Sequence, residues 1–233
     1  MEKKQRTNDP TVVSSSNLEP LRKATRVKDI ERIPKKVVKR LSLYARELRT
    51  LEMNNVATVS SQTLADSLGI TSAQVRKDLA FFGQFGVPGV GYSVRDLATS
   101  LQRILGTDRE VRVAIIGAGN LGSALMSYGG FARHGVRIVF AFDTDIHKIG
   151  TERGGVWIFS MDTLEERLRA GGIDIVILTV PAAVAQQVAD RVVAAGVAGI
   201  LNFVPVHLKV PPHVRVQYVD LAIEIESLSY YLR

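Results

Sequence analysis

Residues 111–128 read VRVAIIGAGNLGSALMSY. Val111, Val113, Ile115 and Ile116 form a short, mostly β-branched run, suited to a parallel strand buried on both faces. Gly117, Gly119 and Gly122 follow in G-x-G-x-x-G spacing, with Ala118, Asn120 and Leu121 between them. The first glycine permits a tight turn, the second lets backbone approach a pyrophosphate, and the third lets a helix pack on the strand. The free N–H groups and positive end of that helix would face the phosphates. A second apolar strand, 137–142, ends at Asp143, about 20 residues past the glycines. An acid there holds a ribose hydroxyl and disfavours a 2′-phosphate, which points to NADH and NAD+. The plainer alternative is a strand–turn–helix whose glycines serve packing alone.

The chain has 233 residues, 46% of them hydrophobic, enough for a sizeable core in one or two domains. It contains no cysteine, so disulfides, thiolate metal sites and cysteine nucleophiles are excluded. No apolar run approaches the roughly 20 residues that span a bilayer. The first twenty residues lack the apolar core of a signal peptide, so a cytoplasmic protein without a membrane partner is expected. The net charge of +7 is unevenly placed. Residues 1–108 carry 18 Lys and Arg against 11 Asp and Glu, whereas residues 109–233 carry 12 of each. A basic half beside a neutral one suits either a nucleic-acid partner or a solvated basic surface.

Residues 1–28 are polar, with Ser14, Ser15 and Ser16 in a row, and read as a disordered basic tail. Residues 29–108 read as a small helical domain. Val37, Leu41, Tyr44, Leu48 and Leu51 form one amphipathic stripe, and Lys35, Lys36, Lys39, Arg40, Arg46 and Arg49 occupy the other face. Ser60 or Ser61 caps a second helix over 62–68, which Gly69 stops. Thr71 opens a third helix with Gln74 three places on, a capping-box pattern. Its seam is Val75, Leu79 and Phe82; Ser72, Ala73, Arg76, Lys77 and Ala80 lie outward. Two short helices with the second presenting small and basic residues describe a helix-turn-helix, though a plain three-helix bundle has the same periodicity. Arg76 and Lys77 would reach guanine edges or phosphates. The glycine- and proline-rich stretch 83–94 follows as a hairpin, the wing of a winged helix. Gly91 and Tyr92 are placed near its tip, Tyr92 either on the sugar-phosphate backbone or simply packed. One more helix over 94–105 ends at Gly106, and 107–110 is a hinge.

Residues 109–212 continue as alternating strands and helices, predicting an α/β Rossmann domain with a doubly wound parallel sheet. The crossover helix is expected to run to His134; later strands fall at 156–159, 173–180 and 199–203, with helices at 163–169 and 182–195. Ligands of such sheets sit beyond the carboxyl ends of the strands, which gathers Gly117–Gly122, Asp143, Thr179, Val180, Pro181 and the stretch Asn202–Pro205 around one crevice. Residues 213–233 then offer an edge strand and a helix capped by Asp220, with Leu221, Ile225, Leu228 and Leu232 as its seam. That helix packs on its own domain or on a second subunit. Too little chain remains for a substrate domain. None of the four histidines has metal-ligand spacing or an evident acid–base partner, so no catalytic residue is assigned. A dinucleotide site without catalytic equipment suggests a sensor rather than an enzyme.

Six segments together resemble the Rex family of bacterial redox-sensing transcriptional repressors: VRKDLAFFG (75–83), VGYSV (90–94), GAGNLG (117–122), ILTVPA (177–182), GILNFVPV (199–206) and VDLAIEIESL (219–228). The resemblance implies a homodimer on palindromic double-stranded operator DNA, with the C-terminal helix exchanged between subunits. It implies DNA binding when NADH is scarce relative to NAD+ and release by NADH. It also places Tyr128 near the nicotinamide and Asp220 where an acid senses closure. Two other readings stand beside it: a small NAD-dependent oxidoreductase, and a DNA-binding regulator holding another nucleotide such as a coenzyme A or S-adenosyl compound.

Overall fold

The computed structural model describes residues 33–232; the expected tail, 1–28, lies outside them. The chain divides into two compact units between Leu105 and Gly106.

The first unit is built on α1 (Lys35–Met53), which buries Val37, Leu41, Tyr44 and Leu48 of the expected stripe together with Ala45, while Leu51 is half-buried. Next come β1 (Thr58–Val59), α2 (Ser61–Leu68), α3 (Ser72–Ala80), β2 (Tyr92–Ser93) and α4 (Val94–Leu105). Ser60 Oγ accepts the Thr63 N–H and caps α2, and Gly69 ends it in the left-handed conformation at φ 64°. Strands β1 and β2 pair antiparallel, Val59 opposite Tyr92. Leu41, Tyr44, Leu48, Leu64 and Leu101 are wholly buried where the helices meet. Each such leucine contributes about 1.5–3 kcal/mol by leaving water, so this small unit has a core of its own.

The second unit contains β3 (Val111–Ile116), α5 (Asn120–Met126), β4 (Val136–Asp143), β5 (Glu152–Arg153), β6 (Val156–Ser160), α6 (Leu164–Ala170), β7 (Ile175–Leu178), α7 (Ala185–Ala194), β8 (Gly199–Asn202), β9 (Arg215–Tyr218) and α8 (Leu221–Tyr230). Among the described residues, seven strands form one sheet in the order β5-β6-β4-β3-β7-β8-β9. All neighbours are parallel except β5, which pairs antiparallel with β6. The order reverses at β3, with β4 on one side and β7 on the other, which makes the doubly wound crevice of a Rossmann fold. Alternation along β3 feeds two cores. Ala114 and Ile116 join Leu164, Leu168, Val188 and Val192 on one face. Val113 and Ile115 join Met126, Ala141 and Ile158 on the other.

Several boundaries differ from expectation. The crossover helix stops at Met126 rather than running to His134; Gly129 and Gly130 are poor helix residues, and only a 3₁₀ turn, Ala132–His134, follows. The strand expected over 173–180 is shorter, 175–178, although the Asp174 and Thr179 N–H groups still bond across to β3. The helix expected from residue 182 begins as a 3₁₀ turn and becomes α-helical at Ala185.

Candidate functional site

On the first unit, α3 packs against α2 and carries the residues expected to face DNA. Thr71 Oγ1 accepts the Gln74 N–H at 3.2 Å, one half of the expected capping box. The other half is not made, because the Gln74 amide donates to Asp78 at 2.7 Å instead. Ala73, Arg76, Lys77 and Ala80 are exposed, while Ser72 and Gln74 are half-buried on the flanks. The Arg76 guanidinium donates to Ser61 Oγ at 2.9 Å, which steadies it against α2.

Behind this face sits a network that sequence reasoning missed. Asp78 is fully buried on α3. Arg40 of α1 meets its carboxylate through Nε and through Nη2 at 2.8 Å, and the Tyr44 hydroxyl donates to it at 2.8 Å. Burial pushes the Asp78 carboxyl up, but Arg40, Tyr44 and Gln74 outweigh it and hold the group below its usual range. Arg40 is therefore more than a solvated charge of the outer face: it ties α3 to α1. The signal in the sequence was an acid inside the apolar seam of α3.

The wing is a tight hairpin. The Val87 C=O accepts the Val90 and Gly91 N–H groups, and the Val87 N–H donates to the Gly91 C=O. Pro88 and Gly89, the latter at φ 81°, make the turn, in the type II pattern. Tyr92 is not at this tip. It is 8% exposed, at the base of the hairpin with its ring in the core, so packing is its role here and the phosphate contact is corrected. Burial pushes its hydroxyl up, against the nearby Arg76 charge. Gly91, at φ 103°, has no room for a Cβ, which would lie 2.6 Å from the Val59 C=O. It shapes the wing's base rather than offering a side chain.

In the second unit the three motif glycines separate by physical role. A Cβ on Gly117, at φ 102°, would lie 2.6 Å from the Thr179 C=O. One on Gly122 would lie 1.9 Å from the Gly117 C=O. One on Gly119 would meet nothing within 4 Å. Two glycines are thus demanded by the protein and one is left open on the side a pyrophosphate would approach. The first bond of the α5 ladder runs from the Ser123 N–H to the Gly119 C=O, and no side chain caps the helix. The N–H groups of Asn120, Leu121 and Gly122 therefore have no helical acceptor. The Thr179 hydroxyl donates to the Gly117 C=O at 2.7 Å and braces the turn; Val180 is half-buried and Pro181 exposed beside it.

Asp143 ends β4 against this turn. Its carboxylate accepts the Ala118 N–H at 2.8 Å, the Asp145 N–H at 2.9 Å and the Lys148 ammonium at 3.3 Å. Burial pushes the carboxyl up, but these donors outweigh it, so the group stays ionised at neutral pH. Gly119, the unspent N–H groups and Asp143 fit a dinucleotide: the first two at its pyrophosphate and the acid at a ribose.

Other expected site residues lie elsewhere or are engaged. Asn202 is 1% exposed, and its amide is spent on its own loop, donating to the Val204 and Val206 C=O groups and accepting the Val204 N–H. It shapes the crevice wall, which corrects its placement as a direct contact. Tyr128 lies past the far end of α5, a helix length or about 10 Å from the glycines. It is exposed, stands edge-on to Phe131, and lines a cleft of about 610 Å³ with Thr107, Arg109, Arg137 and Gly154. Asp220 caps α8, accepting the Ala222 N–H at 2.9 Å and the Ile223 N–H at 3.4 Å. No residue of α8 is buried, and Leu221, Ile223, Ile225 and Leu228 are each at least 60% exposed.

Residues 32–80 match a family model described as a putative DNA-binding protein N-terminus, and residues 108–206 match one described as a CoA binding domain. The redox-sensing transcriptional repressor Rex of Carboxydothermus hydrogenoformans is 48% identical over 202 residues, which span 87% of this chain and 97% of that protein. The chain belongs to the Rex family. The Rex protein of Syntrophomonas wolfei is 49% identical over 86% of this chain and 96% of its own. Among solved structures, the Rex-family repressor RSP in complex with β-NAD+ and operator DNA matches with a TM-score of 0.81 at 39% identity, covering 86% of this chain and 92% of that one. RSP in complex with β-NADH matches with a TM-score of 0.77 at 37% identity, covering 86% and 94%. The Carboxydothermus and Syntrophomonas relatives are both described as redox-sensing transcriptional repressors. No helix among the described residues is long and apolar enough to cross a membrane.

Proposed function

We infer that this protein binds palindromic operator DNA as a homodimer when NADH is scarce relative to NAD+, and releases it when NADH binds. One observation carries the reading. A helix-turn-helix with an exposed basic face and a glycine turn closed by an ionised acid occur in one chain, aligned over 86% of its length with a repressor solved with NAD+ and operator DNA. Arg76, Lys77 and the small residues Ser72 and Ala73 would enter the major groove, Gln74 flanking them, with the wing tip at Pro88 and Gly89 beside the backbone. The pyrophosphate would lie over Gly119 and the N–H groups of Asn120, Leu121 and Gly122, and Asp143 would accept a ribose hydroxyl.

The apolar face of α8 supports the dimer, because a subunit does not cover it by itself. In this reading α8 crosses to the partner, and Asp220 and Tyr128 act in the assembled dimer. A cytoplasmic location goes with this role. NADH can move DNA only by binding the released arrangement better than the DNA-competent one. A coupling of about 1–3 kcal/mol gives roughly 5–150-fold. A rigid-body rotation of the two subunits would deliver it by spoiling half-site spacing.

The family model described as a CoA binding domain favours a second reading, a repressor answering to another nucleotide. Fluorescence anisotropy of a labelled palindromic duplex at fixed salt separates the two. Release by NADH at concentrations where NAD+ does little supports the redox reading. DNA binding indifferent to both, but released by a coenzyme A thioester, supports the second.

A further inference from the structure

Lys148 stands between two carboxylates at the ribose end of the crevice. Its ammonium lies 3.3 Å from Asp143 Oδ2 and 3.5 Å from Asp145 Oδ2. The side chain is 29% exposed, so solvent and ligand can reach it. Its backbone is pinned: the Lys148 N–H donates to the Asp145 C=O, and the Lys148 C=O accepts both the N–H and the hydroxyl of Thr151. The ammonium is therefore held near Asp143 by the chain as well as by charge.

Asp143 is correspondingly occupied. A carboxylate has about four acceptor positions, and three donors already use it: the Ala118 N–H, the Asp145 N–H and the Lys148 ammonium. What remains serves one ribose hydroxyl. At this place in a Rossmann sheet an acid selects the free 2′-hydroxyl, and a cation accommodates a 2′-phosphate. Here both groups are present and bound to each other.

We propose that Lys148 is a specificity-determining residue, a 2′-phosphate-binding group that Asp143 and Asp145 hold in check. The size of the preference for NADH over NADPH is then set by the balance of the two carboxylates against Lys148 rather than by Asp143 alone. This inference depends on the nucleotide assignment made above.

The test is a titration of the full-length protein with NADH and with NADPH, read by calorimetry and by nicotinamide fluorescence. It compares the natural protein with Lys148→Ala, Asp143→Asn and the double variant, each checked for folding by circular dichroism. Asp143→Asn frees the ammonium and is expected to narrow the preference for NADH about tenfold, the size of one charge-assisted hydrogen bond. Lys148→Ala in that background is expected to cancel the gain. Lys148→Ala alone leaves two unbalanced carboxylates and should widen the preference several-fold. That variant decides the matter if Asp143→Asn does not fold, because Lys148 is partly exposed. The same narrowing with and without Lys148, or a preference that Lys148→Ala leaves unchanged, would overturn the proposal. Failure of the natural protein to bind either dinucleotide would overturn the nucleotide assignment, and this inference with it.

Discussion

The Ala118 N–H donates to Asp143 Oδ2 at 2.8 Å, so the middle of the glycine turn and the end of β4 form one hydrogen-bonded unit. The acid that would receive a ribose also holds the loop that would receive the pyrophosphate. Ala118 is 2% exposed, so its N–H has no ready replacement for that acceptor in water.

Asp143→Ala should therefore do two things. It should weaken NADH binding at least about tenfold and cost about 1–3 kcal/mol of stability through the orphaned N–H. NADH titration and urea unfolding measure the two effects. Binding within twofold of the natural protein would remove Asp143 from the site.

The glycines should separate in the same assays. Gly122→Ala puts a methyl group 1.9 Å from the Gly117 C=O and should destabilise the second unit by more than about 2 kcal/mol. Gly119→Ala meets no atom and has an ordinary φ of −72°. It should leave the melting temperature nearly unchanged while lowering dinucleotide affinity. Equal affinities for Gly119→Ala and the natural protein would mean that no phosphate passes there.

Arg76→Ala and Lys77→Ala test the DNA face. A contact to a base edge should cost about 1–3 kcal/mol and relax specificity at one position; a phosphate contact should weaken all sequences alike and lower the salt slope by about one. Both side chains are exposed, so thermal stability should hardly move. If neither substitution changes operator affinity at fixed salt, α3 is not the reading helix.

Acid should act on the pair joining α6 and α7. The side-chain hydrogen bonds from Arg191 hold the Glu165 carboxyl down at about 2, against an ordinary 4.5. A folded-state pKa below the unfolded one stabilises above the unfolded value and loses that contribution as pH falls through the folded one. Stability from this pair should therefore be complete above about pH 4.5 and drain away toward pH 2. Glu165→Gln should be less stable at pH 7 and show a shallower loss over that window, read by urea midpoints against pH. Parallel curves for the two proteins would show that the pair contributes nothing.

The exposed face of α8 predicts association. Leu228→Asp, at a position 62% exposed in a single subunit, should leave each subunit folded and lower the mass by light scattering from dimer to monomer. An unchanged mass would place the dimer contact elsewhere.

The sequence disclosed much of this because its signals are local. Ser60, Thr71 and Asp220 accept the N–H groups of the helices they precede, and period-two alternation in β3 assigns each residue to its core. What stayed hidden depends on partners distant in sequence. Nothing near Tyr92 says that its ring will be buried, and nothing near Asp78 names Arg40, 38 residues away, as its partner. Asn202 looked available because the carbonyls that take its amide belong to a loop whose path only the fold shows. Asp143 was legible as an acid at a strand end, but not as one already holding three donors.

One carbonyl oxygen, that of Gly117, receives the Thr179 hydroxyl and lies where any Cβ on Gly122 would have to go. The three positions are thus mutually locked, and mutational drift at either partner passes through a less stable intermediate. Gly119 carries no such obligation. Descendants of this chain that lose the ligand should shed Gly119 first and retain the other two, so the order in which the motif decays would distinguish a sensor that has gone blind from a fold that has come apart.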